Sequence, residues 1–277
     1  MLKPAVTSTE REEESIDPSA HLSADTFLVP PLGEGEVHVF VARLDEALVT
    51  DLQPLLSTDE SERADRFVFP SDRHHFIVAR GLLRRLLGGY LQCASQELQF
   101  AYGAQGKPSL LVPDGNSLRF NLAHSHGRAV YAFTRNKEVG IDLEFTGRKV
   151  DYERLAGRFF SEAEVADMKR LDTGRRRQAF FNCWTRKEAY IKARGEGLSI
   201  PLDEFAVSIT PGKPAALVNN YRDADECSRW SMTSLTIAPG YTGALVLEGK
   251  YSCIRLFHLG RGLGLNLSFT EETCSHD

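Results

Sequence analysis

Two carboxylates stand two residues apart in the segment G-I-D-L-E, at Asp142 and Glu144. On a strand this spacing turns both to one face, where paired anions repel unless a cation joins them; Mg2+ suits the place because it takes carboxylate oxygens together with waters and phosphate oxygens. A solvated polar strand face would carry the same two residues without a metal. A second group lies in W-T-R-K-E-A-Y-I-K-A-R-G-E-G-L-S, where Trp184, Glu188 and Lys192 recur every four residues along one helix face with Lys187 beside them. That pattern offers an acid and a base to one ligand, and it equally describes an ordinary i,i+4 salt bridge. The third group is G-K-P, with Lys107 held in a Gly-Pro turn, followed by F-N-L-A-H-S-H with His124 at the end of a strand-like run. Both suit a phosphate, although a lone histidine is more often structural.

These residues need elements to position them. From Val37 the run V-H-V-F-V-A alternates like a strand, and S-T-D-E at Ser57 to Glu60 has the spacing of a capping box, predicting a helix that carries Arg63, Arg66 and Phe67. Phe76, Ala79, Leu82, Leu83, Leu86 and Leu87 fall at helical spacing in a core helix over 74–91, which Gly88-Gly89 is expected to interrupt. Short strands and turns follow as far as G-I-D-L-E. Beyond Asp151 the order recurs: a second S-x-x-E box at Ser161 and Glu164, a long amphipathic helix over 180–193, then the strand F-A-V-S-I.

A shift of 104 residues carries Val37 onto Ile141, Ser57 and Glu60 onto Ser161 and Glu164, and Phe76 onto Phe180. Slightly larger shifts carry Phe100-Ala101 onto Phe205-Ala206 and Gly106-Lys107-Pro108 onto Gly212-Lys213-Pro214. The expected fold class is therefore α+β, a pseudo-twofold duplication with two similar subdomains at 37–139 and 140–250 and an active site in the cleft between them. Residues 1–36 have the proline-rich, acidic composition of a disordered tail, and 251–277 form a C-terminal extension. A chain that supplies both halves of its cleft is expected to work as a monomer.

With 42% hydrophobic and 26% charged residues, the 277-residue chain has material for a sizeable core. A net charge of -5 argues against a nucleic-acid binder working through its overall field. No window is apolar enough to span a bilayer and the start of the chain is acidic, so the expectation is no membrane partner and a place in the cytoplasm. Five scattered cysteines without a C-x-x-C pair suggest neither a disulfide framework nor a zinc site.

Taken in this order and spacing, the three groups identify a resemblance: the chain is similar to the 4'-phosphopantetheinyl transferase superfamily, specifically its surfactin-type (Sfp-like) branch. The matching pieces are G-K-P, F-N-L-A-H-S, G-I-D-L-E and F-x-x-x-W-T-R-K-E-A-Y-I-K-A-R-G-E-G-L-S-I-P-L-D-E-F, and they lie between about Val37 and Leu247. The resemblance implies that Asp142, Glu144 and Glu188 bind the Mg2+ that also touches the coenzyme A diphosphate. It places Lys192 and Lys187 near the phosphates, with Lys107, His124 and Ser125 on the same substrate. Arg63 and Arg80 are the candidates for its 3'-phosphate. Where many relatives have serine before the histidine this chain has Ala123, so one hydrogen bond to the nucleotide is expected to be missing.

The implied reaction is attack of a carrier-protein serine on the β-phosphorus of coenzyme A, releasing adenosine 3',5'-bisphosphate and leaving a holo acyl or peptidyl carrier protein. Glu188 is the first choice for accepting the serine proton, and Glu164 the second despite its capping position. The alternatives are a non-catalytic module that binds coenzyme A or carrier proteins, and an unrelated Mg2+-dependent nucleotide hydrolase. The triplet Arg175, Arg176 and Arg177 is either a solvated turn or a patch that steers an acidic carrier toward the cleft.

Overall fold

A computed structural model describes residues 27–111, 117–260 and 268–274. Among them the first half runs β1 (Glu36–Arg43), α1 (Val49–Leu52), α2 (Thr58–Asp65), α3 (Pro70–Leu91), β2 (Phe100–Tyr102), β3 (Pro108–Leu110), β4 (Leu118–Ser125) and β5 (Arg128–Arg135). The second runs β6 (Val139–Phe145), α4 (Tyr152–Phe159), α5 (Glu162–Arg170), α6 (Thr173–Arg194), β7 (Phe205–Val207), β8 (Leu217–Asn220), α7 (Glu226–Arg229), β9 (Trp230–Leu235) and β10 (Tyr241–Glu248). The chain then returns to the first half as β11 (Cys253–His258) and β12 (Ser268–Cys274). The fold is thus mixed α and β.

Two main sheets form, one in the order β12-β11-β1-β5-β4 and one in the order β6-β10-β9, with separate hairpins β2-β3 and β7-β8. β11 lies parallel to β1, whereas β5 pairs with β1 antiparallel. The period-two alternation of β1 assigns its two faces. Val37, Val39 and Val41 join Val130, Ala132, Ile141, Leu143, Leu245 and Leu247 in a core between the sheets. Phe40 and Ala42 face the other way, into a core with Leu82, Leu83, Leu86 and Leu87 of α3. On the far side, Ala244 and Val246 of β10 pack with Phe180, Phe181 and Tyr190 of α6. The layers therefore run helix, sheet, sheet, helix, and the central core belongs to both halves.

Both capping boxes exist, Ser57 with Glu60 and Ser161 with Glu164. The glycine pair does not interrupt α3. Helix continues to Leu91, and a Cβ on Gly89 would stand 2.1 Å from the carbonyl oxygen of Phe27, so Gly89 is a point of close approach by the N-terminal segment. The expected tail of 1–36 is corrected accordingly over its last ten residues. Phe27 and Leu32 are buried in the α3 core, Phe27 N donates to Arg85 O, and Arg135 Nε donates to Leu32 O at 3.0 Å. Residues 1–26 lie outside the described residues. The expected C-terminal extension is likewise in part a sheet strand, with Phe257 stacked on Phe40 at 5.1 Å. Among the described residues no helix is long and apolar enough to cross a membrane.

Candidate active site

β6 sends Val139, Ile141 and Leu143 into the core between the sheets, which leaves Gly140, Asp142 and Glu144 on the face toward α6. Gly140 sets the distance. A Cβ there would lie 2.0 Å from the carbonyl oxygen of Ala189 and 2.4 Å from the amide nitrogen of Ala193, so only glycine lets α6 settle against the strand. The settled helix brings Lys192 Nζ to 2.6 Å from Asp142 Oδ1 and 3.4 Å from Ile141 O. The first two motifs thus meet across one glycine.

The third motif stitches the halves together. Asn121 Oδ1 accepts the amide of Ile141 at 2.9 Å, and Ser125 Oγ donates to Glu144 Oε2 at 3.2 Å while accepting the amide of Phe145 at 3.1 Å. Ser125, proposed as a coenzyme A contact, bonds Glu144 in this arrangement and orients its carboxylate. Arg148 Nη2 holds the other Glu144 oxygen at 3.2 Å. Ala123 is buried in the core between the sheets.

A cleft of about 270 Å3 lies between the halves, and it gathers Arg63, Arg80, Lys107, His124 and Lys192, five of the predicted residues. The hairpin β2-β3 presents Lys107 through a turn in which Gly106 takes φ +78 and donates to Gly103 O at 2.8 Å. Lys107 Nζ bonds Glu138 Oε2 at 3.0 Å and the carbonyls of Val139 and Ala193, so it also caps α6 across the cleft. Arg80 and Arg84 share one carboxylate, Glu60, at 2.7 Å and 2.6 Å through their Nε atoms. Arg80 also donates to Tyr102 Oη at 2.8 Å, and Asp59 adds a second carboxylate near both guanidiniums. The His124 ring is exposed by area, yet the dense surroundings and the Lys192 ammonium hold its imidazolium below its ordinary range. His75, absent from the sequence reading, adds to that effect.

Burial and then the Asp142 charge raise the carboxyls of both Glu144 and Glu188. Asp142 Oδ2 is buried without a hydrogen-bond partner. These two observations fit a cation near the three carboxylates. In this arrangement Lys192 occupies Asp142 Oδ1, and among the described residues no three His, Cys, Asp or Glu side chains converge closely enough to hold a metal ion.

Two predicted residues are elsewhere. Lys187 is 0% exposed and Glu164 is 2% exposed. Lys187 Nζ pairs with Glu164 Oε2 at 2.8 Å and donates to the carbonyls of Leu202 and Phe205, and Glu164 Oε1 accepts the amide of Val207 at 2.7 Å. Neither reaches the cleft, so the phosphate role of Lys187 and the general-base role of Glu164 are corrected to a buried ion pair that fixes α5, α6 and β7. The arginine triplet is also engaged. Arg175 donates to Pro211 O, Arg176 to Leu171 O and Lys169 O, and Arg177 to Thr146 O and Arg148 O. It closes loops, the last of them beside Glu144, through neutral carbonyls that leave the charge in place; of the three, Arg176 also meets a carboxylate, Glu153, at 3.4 Å.

The profile of the 4'-phosphopantetheinyl transferase superfamily matches residues 138–246, and that of the 4'-phosphopantetheinyl transferase N-terminal region matches 46–135. The chain is 38% identical over 217 residues to 4'-phosphopantetheinyl transferase HetI of Nostoc sp., covering 77% of this chain and 88% of that protein. It is 33% identical over 154 residues to 4'-phosphopantetheinyl transferase Sfp of Bacillus subtilis, covering 56% and 66% respectively. Among solved structures, the holo-[acyl-carrier-protein] synthase of Thermotoga maritima overlays with a TM-score of 0.32 at 20% identity, covering 45% of this chain and 70% of that one.

Proposed function

The chain belongs to the 4'-phosphopantetheinyl transferase superfamily, and from that premise we propose that it moves the phosphopantetheine arm of coenzyme A onto a serine of an apo acyl or peptidyl carrier protein, using the cleft between its halves. The observation that carries this reading is the contact of Lys192 with Asp142 at the wall of a cleft whose other side is cationic. Coenzyme A is a polyanion, and Arg63, Arg80, Lys107 and His124 from the first half meet Lys192 from the second around the space it would fill.

In the reaction the serine Oγ forms a bond to the β-phosphorus, the bond from that phosphorus to the bridging oxygen breaks, and adenosine 3',5'-bisphosphate leaves. Lys192 faces the diphosphate and offsets the charge that grows on its oxygens. Glu188, a partly buried carboxylate one helical turn before Lys192, is the group that accepts the serine proton. Asp142, Glu144 and Glu188 are the proposed holders of Mg2+, which when bound supplies further positive charge to the diphosphate. Ser125 and Arg148 keep Glu144 in place.

A duplicated ancestry is part of the proposal. Each half contains a capping box, a 22-residue helix (α3 or α6), a short hairpin and an antiparallel set, β1-β5-β4 or β6-β10-β9. Such a chain contributes both walls of its cleft and works as a monomer in the cytoplasm. Mass spectrometry of an apo carrier incubated with the protein, coenzyme A and Mg2+ tests the reading. The carrier should gain one phosphopantetheine, and should fail to do so with Lys192→Ala or with chelator. Release of free phosphopantetheine, or binding of coenzyme A with no change in the carrier, would refute it.

A further inference from the structure

A second cleft, of about 600 Å3, opens on the second half; it shares no lining residue with the first, and Thr242 and Gly243 on its wall pair with Glu144 and Leu143 of β6. Its wall includes Arg186 of α6, one helical position before the buried Lys187. Arg186 is 2% exposed, and its guanidinium donates to Ser208 O, to Ser208 Oγ at 3.1 Å and to Ser234 Oγ at 2.8 Å. All of these acceptors are neutral. Among the described residues no carboxylate lies within 4.0 Å of it, in contrast to Arg80, Arg84 and Lys187, each of which has one.

Burying a guanidinium without an anion is costly, and a cleft-lining cation left in that state is a site at which an anion binds favourably. The rest of the cleft has matching chemistry. The turn Gly212-Lys213-Pro214 forms one edge, where Lys213 is exposed, and Thr233 and Ser234 supply hydroxyls. Among the described residues that line it there is no aspartate or glutamate. Its place in the second half, beside a G-K-P turn and the strand that follows the hairpin, repeats the place of the first cleft beside Gly106-Lys107-Pro108 and β4.

We propose that this second cleft binds a small phosphate-bearing molecule, with Arg186 and Lys213 holding the phosphate. Its volume suits a ligand of nucleotide size better than a bare ion. The inference does not depend on turnover, and it rests on the proposed function only in using coenzyme A to fill the first cleft.

The test is calorimetric titration of the full chain, first with coenzyme A and then, at saturating coenzyme A, with inorganic phosphate or adenosine 5'-monophosphate. Absence of coenzyme A binding in the first step would count against the proposed function and leave the second cleft to be titrated directly. The expected result is one additional site for at least one of the two probes, weakened roughly tenfold or more in Arg186→Met and several-fold in Lys213→Ser, with coenzyme A binding unchanged. Tighter binding of the nucleotide would assign a phosphorylated metabolite, and tighter binding of the inorganic ion would assign free phosphate. In probe-free buffer Arg186→Met should melt at or above the parental Tm, because methionine removes an uncompensated charge at similar volume. Lys213 lies on an exposed turn and its variant keeps the test open if Arg186→Met does not fold. Neither probe binding, or both variants binding as the parent does, would overturn the proposal.

Discussion

Replacing Gly140 by alanine tests the link between packing and chemistry most directly. The new Cβ would lie 2.0 Å from Ala189 O, 2.4 Å from Ala193 N and 2.9 Å from Ala193 Cα. Ordinary carbon–oxygen contacts are no closer than about 3.2 Å, so helix and strand must part by roughly 1 Å, and both are backbone in a close-packed layer. Overpacking of this kind costs about 1–3 kcal/mol. Parting α6 from β6 also pulls Lys192 away from Asp142, and a misplacement of roughly 1 Å at a reacting centre costs on the order of a hundredfold in rate. The control is Gly157→Ala in α4, where a Cβ meets nothing within 4 Å; it should be neutral or stabilise by up to about 1 kcal/mol. Urea unfolding and initial rates of carrier modification measure both effects. If Gly140→Ala keeps parental stability and rate, the close approach is not what aligns the two motifs.

Three further outcomes are expected. Lys187→Met leaves Glu164 buried and unpaired and should cost about 3–5 kcal/mol without changing KM for coenzyme A, while adding Glu164→Gln should restore much of the loss; a raised KM with intact stability would return Lys187 to the substrate. Burial holds His38 down at about 4 against an ordinary 6.5, with Tyr90, Glu36 and Arg255 around it, so the folded state disfavours its proton. The resulting stability is complete above pH 6.5 and lost as pH falls toward 4, a loss of about 3 kcal/mol that unfolding curves of the parent should show and those of His38→Gln should lack. A chain starting at residue 34 should be less stable than one starting at residue 27 by about 2–5 kcal/mol, since it lacks Phe27 and Leu32; equal midpoints in urea would show that these two contacts contribute nothing.

Much of the site was legible because its logic is local. The two-residue spacing of Asp142 and Glu144 and the four-residue spacing of Glu188 and Lys192 each fix a face before any tertiary contact forms. The alternation of β1 and the capping boxes were readable for the same reason. What could not be read is which polar residues on those elements turn inward. Lys187 and Lys192 lie on one helix five positions apart, yet one is sealed against Glu164 and the other lines the cleft, a difference decided by hairpin β7-β8 and α5 packing over one side only. The bond of Ser125 to Glu144 joins two strands, and no local spacing announces it. Gly89 and Gly140 look alike in sequence to glycines that end helices or loosen strands, and only the neighbours at 2.1 Å and 2.0 Å reveal their use. Phe27 and Leu32 sit in a polar, proline-containing segment whose composition hides two anchoring side chains.

The parallel pairing of β11 with β1 has a consequence for the order of events in synthesis. Val37 pairs with Ile254 and Phe40 with Phe257, so one edge of β1 and part of the α3 core wait for nearly the last strands to be made. At ordinary elongation rates the ribosome needs on the order of ten seconds to add the second half. During that interval the nascent first half exposes an unpaired strand edge and an aromatic gap beside Phe40, both of which invite association with other chains. β11 and β12 therefore act as a folding latch on an edge that the first half alone leaves open.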